Sequence, residues 1–414
     1  MTHEVPDGWT VTNVSSVCSV VTGKTPSTKN PDFWDGDIPF VTPSDIDDRK
    51  YVPSTLRSIT NLGAEKSKII PKNSVAVTCI ASIGKNAIIK EPSVTNQQIN
   101  ILIPTDKVDF QLLYYLMEHN AGTLRGMAGT TAVPIVNKTL LSELPLLLPP
   151  LPEQKKIAEV LSSVDEAIAA TKAVIDQTKQ VKKGLLQTLL TKGIGHTKFK
   201  QTELGEIPES WEILKLSDSG ISVIDGDRGK AYPKAADFTD EGYCLFLSAK
   251  NITKDGFRWV NNQFIGEERH GLLRKGALSR EDIVLTTRGT VGNIGYYDHS
   301  VPYDVVRINS GMVILRNNGN CLSTGFLYLL LNSPIVHQQI DQLAFGSAQP
   351  QLTVKVIKDF LLPVPPLAEQ PDLAALLQNC FETLTANEES LAELENLKSG
   401  LMSDLLTGRK LVEV

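Results

Sequence analysis

The sequence predicts a mixed α/β protein, with two repeated domains joined by two long antiparallel coiled-coil helices related by pseudo-twofold symmetry. Three observations predict it. A block of about 45 residues occurs twice in one gapless register, each copy carries a heptad seam, and a turn-rich stretch of short apolar runs precedes each copy.

The repeat comes first. Pro149-Pro150-Leu151-Pro152-Glu153-Gln154 returns as Pro365-Pro366-Leu367-Ala368-Glu369-Gln370, an offset of 216 (153 to 369). Gly184-Leu185-Leu186 and Leu189-Leu190-Thr191 return as Gly400-Leu401-Met402 and Leu405-Leu406-Thr407, again at 216 (184 to 400). Upstream the match is looser and the offset drifts. Pro6 to Trp9 pairs with Pro208 to Trp211 at 202, Val75 to Thr78 with Ile283 to Thr286 at 208, and Tyr114 to Met117 with Tyr328 to Leu331 at 214. Each repeat is therefore a divergent domain of about 150 to 160 residues followed by a nearly identical segment. A period this long marks a duplicated domain, not a solenoid.

The repeated segments read as helices. Ile157, Leu161, Val164, Ile168, Thr171, Ile175, Thr178, Lys182, Leu185 and Leu189 alternate spacings of four and three, which is a heptad seam. Adding 216 gives Leu373, Leu377, Cys380, Leu384, Asn387, Leu391, Leu394, Lys398, Leu401 and Leu405. Pro152 and Pro371 stand near the helix starts, and Gly193 and Gly408 lie just past the ends. A span of roughly 33 residues is about 50 Å long, and its apolar stripe needs a partner. The repeat copy is the expected one. Residues 153–200 carry nine lysines against five acids, whereas 367–414 carry nine acids against Lys398, Arg409 and Lys410, so the two segments attract. Lys182 and Lys398, matched on the seam, are read either as setting register or contacting a partner subunit, or as snorkelling lysines.

The divergent domains show runs such as Ile38 to Val41, Ser74 to Thr78, Ile99 to Ile103, Cys244 to Leu247, Ile283 to Thr286 and Met312 to Leu315, read as strands. Phe110 to Met117 and Phe326 to Leu331 read as helices. Loop residues supply nucleic-acid-type chemistry, because Arg and Lys suit guanine edges and phosphates while Asn and Gln suit adenine. The candidates are Lys24, Thr25, Thr42, Ser44, Lys85, Asn96, Gln97 and Gln98 in the first domain. In the second they are Arg228, Lys230, Lys250, Asn251, Arg288, Arg307 and Asn309.

Catalytic and metal motifs fail on inspection. Gly23-Lys24-Thr25 lacks the P-loop glycine five positions earlier, where Cys18 stands. Gly289, Gly292 and Gly295 miss the dinucleotide spacing, and the six histidines are dispersed. Pro149-Pro150 is not set in the Asn/Asp-Pro-Pro-aromatic motif of adenine methyltransferases. Five scattered cysteines point to core thiols in a reducing cytoplasm, and neither a secretory signal nor a membrane-length apolar run is expected. The net charge of −6 opposes a chain that grips phosphates by itself. Two other readings stay open on residues alone: a coiled-coil scaffold whose repeated domains bind protein or glycan, and an enzyme acting alone.

The whole chain resembles type I restriction-modification specificity subunits. The resemblance rests on the two Pro-Pro-Leu-x-Glu-Gln boxes and on the endings at 185–191 and 401–407. The Thr22-Gly23-Lys24-Thr25-Pro26-Ser27 stretch and Trp34-x-Gly36-x-Ile38-Pro39 add to it. Two departures stand out. The second domain lacks a copy of Gly-Lys-Thr-Pro-Ser, leaving its recognition loop assigned to 225–232, and Pro371-Asp372 replaces Lys155-Lys156. The resemblance implies target-recognition domains at 1–150 and 195–364 and spacer helices at 151–194 and 365–414. Each domain would read one half of a split DNA site, and the chain itself would be non-catalytic. The helices would set the gap and dock two methyltransferase subunits carrying S-adenosylmethionine. Motor-nuclease subunits would join with ATP and Mg2+, and the partners would supply the missing phosphate grip.

Overall fold

The computed structural model describes residues 5–128, 134–254, 256–344 and 351–413. The chain divides into two compact units, one made of Met1–Ala173 with Glu388–Val414 and the other of Val174–Asn387. The division falls inside both long helices, so each unit holds one domain and part of each helix. The helices are also longer than the 33 residues expected. The first runs Leu151–Lys192 over 42 residues and the second Gln370–Leu405 over 36.

In the first unit an antiparallel sheet has the order Cys18–Thr22, Ile99–Pro104, Val75–Thr78, Asn86–Ile88. The strand Val75–Thr78, apolar from Val75 to Val77, is buried on both faces because each face meets its own core. Val75 and Val77 join the cluster with Leu112, Leu113 and Met117 of the helix Phe110–His119, while Ala76 packs with Val41, Ile70, Ile99 and Ile101. A second sheet sets Trp34–Val41 between Arg57–Ile59 and Val94–Thr95. Thr10–Asn13 pairs with Pro145–Leu148, returning the chain to the long helix.

The second unit repeats these three sheets and adds two hairpins, Phe199–Thr202 with Gly205–Pro208 and Ile252–Thr253 with Gly256–Phe257. Its main sheet runs Ile221–Asp225, Met312–Asn317, Asp282–Thr286, Ile294–Tyr297, and Cys244–Leu247 lies between Phe264–Ile265 and Val306–Ile308. Glu212–Lys215 pairs with Leu361–Val364. Alternation along Asp282–Thr286 is the same as in the first unit. Ile283 and Leu285 face one core, which includes Phe326 and Leu330, and Val284 faces another with Met312 and Ile314.

The long helices pair antiparallel within each unit. In the first, Asp165 meets Lys398 at 2.9 Å and Lys172 meets Glu395 at 2.9 Å, so one number climbs as the other falls. Ile157, Ala158 and Leu161 share a core with Met402, Leu405 and Leu406. In the second unit Lys182 Nζ lies 3.7 Å from the Phe381 ring centroid, while Leu186, Leu189 and Leu190 cluster with Leu373 and Leu377. Every named seam position is buried or half-buried.

The repeated Glu-Gln boxes anchor these helices. Gln154 Oε1 accepts from Asp109 N (2.9 Å), and its Nε2 donates to Lys107 O (3.1 Å) and Pro149 O (2.9 Å). Glu153 Oε2 accepts from Trp9 Nε1 (3.1 Å), and Glu369 Oε2 accepts from Trp211 Nε1 (3.0 Å). Glu369 Oε1 additionally meets His196 Nε2 at 2.9 Å. The two seam lysines differ. Burial alone would lower the Lys398 pKa, but Glu118 (2.8 Å) and Asp165 outweigh it and hold the ammonium above its ordinary value.

Candidate nucleic-acid interface

The candidate loops of the first unit converge because short backbone bonds tie them. Gly23 N donates to Ile99 O (3.1 Å), Lys24 N to Thr95 O (2.9 Å) and Asn96 N to Val41 O (3.2 Å). A Cβ at Gly23 would fall 2.1 Å from Asn96 O, so only glycine permits this approach. The arrangement joins Thr25 to Gln97, Oγ1 to Oε1 at 2.7 Å, and Asn96 Nδ2 to Gln98 Oε1 at 3.1 Å. Lys24, Ser44, Lys85, Gln97 and Gln98 are exposed and Thr25 is half-buried. Thr42 is bound inward, its Oγ1 donating to Asp45 Oδ2 (2.7 Å). Lys85 Nζ approaches Asp48 at 4.0 Å.

The second unit builds the same loops from different residues. Gly226 takes the place of Gly23, since a Cβ there would meet Asn309 O at 2.2 Å. Asn309 Oδ1 accepts from Gly311 N (2.8 Å) as Asn96 Oδ1 accepts from Gln98 N (3.0 Å). The loop at 225–232 therefore lies where Thr22 to Ser27 lies in the first unit, although no sequence copy marks it. Buried Asp227 holds this loop by accepting from the backbone N–H groups of Arg228, Arg274 and Lys275. Burial would raise its carboxyl pKa; these amides outweigh burial and lower it. Arg228, Lys230, Lys250 and Arg288 are exposed and Asn309 is half-buried. Arg228, Thr287 and Gln351 line a cleft of about 320 Å3.

Two sequence candidates are corrected. Arg307 is 5% exposed, and its guanidinium donates to Lys275 O (2.7 Å), His270 O (3.0 Å), Leu273 O (2.9 Å) and His270 Nδ1 (3.1 Å). Asn251 is 1% exposed, accepts from Ser248 N (2.9 Å) and donates to Val260 O (3.1 Å) and Asn262 Oδ1 (3.1 Å). Both side chains spend their polar groups inside the domain and cannot reach a base edge. Asn251 closes the same capping turn that Asp45 closes in the first unit. Sequence reading missed Gln351 entirely, and it missed the Trp9–Glu153 and Trp211–Glu369 anchors that the repeat alignment could have shown.

Among the described residues no group of His, Cys, Asp and Glu could hold a metal ion, and no helix is long and apolar enough to cross a membrane.

Comparison with known proteins agrees with this duplicated design. The family model described as type I restriction modification DNA specificity domain matches residues 6–180 and again 208–396. The chain belongs to that family. Among curated relatives, the type I restriction enzyme MjaVIII specificity subunit of Methanocaldococcus jannaschii is 28% identical, the alignment covering 98% of this chain and 93% of that protein. The MjaIX specificity subunit of the same organism is 27% identical over 99% and 95%. The S subunit structure of a type I system from M. genitalium superposes with a TM-score of 0.62 at 17% identity, covering 98% of both chains. Family membership favours the DNA-specificity reading over the protein- or glycan-binding scaffold.

Proposed function

We propose that the chain is the DNA-reading, non-catalytic subunit of a type I restriction-modification enzyme, each domain reading one half of an asymmetric bipartite site. The observation that carries this reading is the loop cluster built twice on one backbone plan with unlike side chains. Thr25, Gln97 and Gln98 stand in one copy, and Arg228, Ser310 and Gly311 at the matched places in the other. A shared scaffold with divergent loop tips suits two unlike half-sites, because base edges differ in their donor and acceptor patterns. The paired helices, tied to each domain through Gln154 and Gln370, would set the unspecified gap and dock two methyltransferase subunits. Those partners would carry S-adenosylmethionine, and motor-nuclease subunits would bring ATP and Mg2+. The net charge of −6 fits this division, with phosphate neutralisation left largely to partners. The free thiols of Cys18, Cys79 and Cys244, all buried, fit a reducing cytoplasm.

The test is to express the chain with its methyltransferase subunit and map the methylated adenines. A motif in two defined parts separated by several unspecified bases is expected. One uninterrupted motif, or methylation without sequence preference, overturns the reading. The purified chain alone should transfer no methyl group from labelled S-adenosylmethionine to DNA.

A further inference from the structure

Both units present a pair of side chains at one matched place on the loop cluster. In the second unit Thr287 N donates to Gly311 O (2.8 Å) and Leu352 N donates to Thr287 O (3.1 Å), which sets residue 351 beside residue 288. In the first unit Cys79 N donates to Gln98 O (3.0 Å) and Val136 N to Cys79 O (3.0 Å), and Ile80 forms a β-bridge with Ile135. Arg288 and Gln351 thus stand where Ile80 and Ile135 stand.

The chemistry of the polar pair is specific. With its amide oxygen toward the guanidinium, Gln351 accepts from Arg288 Nη2 (2.8 Å) and Nε (3.1 Å). A guanidinium carries five N–H donors in a rigid fork, and this contact occupies one edge of it. The outer edge, with one N–H on each Nη, still points two parallel donors outward. Guanine offers N7 and O6 as two matching acceptors in the major groove. The orienting group is a neutral amide, so it fixes the plane without offsetting the charge. Arg228 differs, since Asp225 (3.1 Å) and Ser310 O (3.4 Å) hold it. Both Arg288 and Gln351 are exposed.

We propose that Arg288, oriented by Gln351, reads a guanine in the half-site of the second domain. The first domain offers the apolar pair Ile80 and Ile135 at the same place, with Ile135 44% exposed, which suits the methyl group of thymine. This assignment rests on the bipartite reading above, and Gln351 acts as a positioning residue.

The test maps methylated adenines for wild type, Arg288→Ala, Arg288→Lys and Gln351→Leu, each with the methyltransferase subunit. A bipartite wild-type motif secures the underlying reading independently, and its absence sinks that reading rather than this assignment alone. Given that motif, Arg288→Ala should relax one G·C position of the second half, losing roughly tenfold or more in preference there. Arg288→Lys should relax the same position, because lysine keeps the charge but loses the fork. Gln351→Leu should relax it less. The first half should persist in every variant, which certifies folding. A second half-site without a G·C pair overturns the assignment, as does an unchanged motif in Arg288→Ala. If Arg288→Ala abolishes all methylation, Arg288→Lys decides: full retention of the guanine preference overturns it, and relaxation at that position supports it.

Discussion

Gln370 holds in the second unit the place that Gln154 holds in the first, each amide binding the start of a long helix to the N-terminus of a domain helix. Gln370 Oε1 accepts from Ser323 N (2.7 Å), while its Nε2 donates to Cys321 O (2.7 Å) and Pro365 O (3.0 Å). Ser323 caps the helix Thr324–Leu331 just as Asp109 caps Phe110–His119. A side chain with one acceptor and two donors, set where the backbone supplies the complement, fixes the angle at which a domain leaves its helix.

Removing either amide should therefore destabilise its own unit. Gln154 and Gln370 are 2% and 0% exposed, so truncation strips the partner from one N–H and two carbonyls; the Pro149 and Pro365 carbonyl bonds are buried and the others partly buried. Gln154→Ala and Gln370→Ala should each cost about 3 kcal/mol in denaturant unfolding, since one orphaned buried group costs roughly 1–3 kcal/mol. Lys155→Ala, on the exposed face beside Gln154, should cost less than about 0.5 kcal/mol. Equal small losses for all three would show that the box does not anchor the helix.

Lys398 gives a prediction with a pH signature. Its ammonium pairs with Glu118 and Asp165, and Tyr115 Oη donates to Asp165 Oδ2 (2.6 Å). Lys398→Met leaves two acids facing each other across a mostly buried site and should cost about 3 kcal/mol at pH 7. The folded pKa of Lys398 is raised, so its contribution is complete below the unfolded lysine value of about 10.4 and is lost as pH rises through the folded one. The stability gap between wild type and Lys398→Met should accordingly narrow above about pH 10.5. A gap independent of pH up to that range and beyond would assign the loss to packing instead.

The parts of the molecule legible in the sequence are those where burial imposes a period. Ile157 to Leu189 had to repeat every 3.5 residues to keep one face against a partner helix, and Val75 to Val77 had to be apolar throughout because both faces meet cores. The loops carry no such period. Arg307 and Asn251 have the right donors for DNA, but residue type does not say whether those donors are already satisfied by the chain. Asn251 had a readable warning, because it stands where Asp45 stands and both close a capping turn. Gln351 had none, since its only distinguishing feature is a neighbour 63 positions away in the chain (288 to 351). The length of about 33 residues counted only the heptad seam; the first helix begins before the seam, at Leu151, where Glu153 and Gln154 are bonded to the domain.

Arg307 separates a structural role from a reading role. Arg307→Ala would strip donors from Lys275 O, His270 O and Leu273 O in the domain interior and should cost about 3 kcal/mol. The methylation motif of the surviving folded protein should stay unchanged at every position, the reverse of what Arg288→Ala should do. His270 adds a pH check. Burial and then the Arg307 charge lower its pKa, and its Nδ1 accepts from Arg307 Nε only while that nitrogen is unprotonated. The folded pKa lies below the unfolded one of about 6.5, so this bond's stabilisation is present above that value and declines as pH falls through the lower folded one. Wild type should therefore lose stability on going from about pH 7 to pH 5 more steeply than Arg307→Ala, in which one cause of the shift is gone. Thermal unfolding of both proteins across that range measures it, and parallel curves would show that His270 and Arg307 are not coupled.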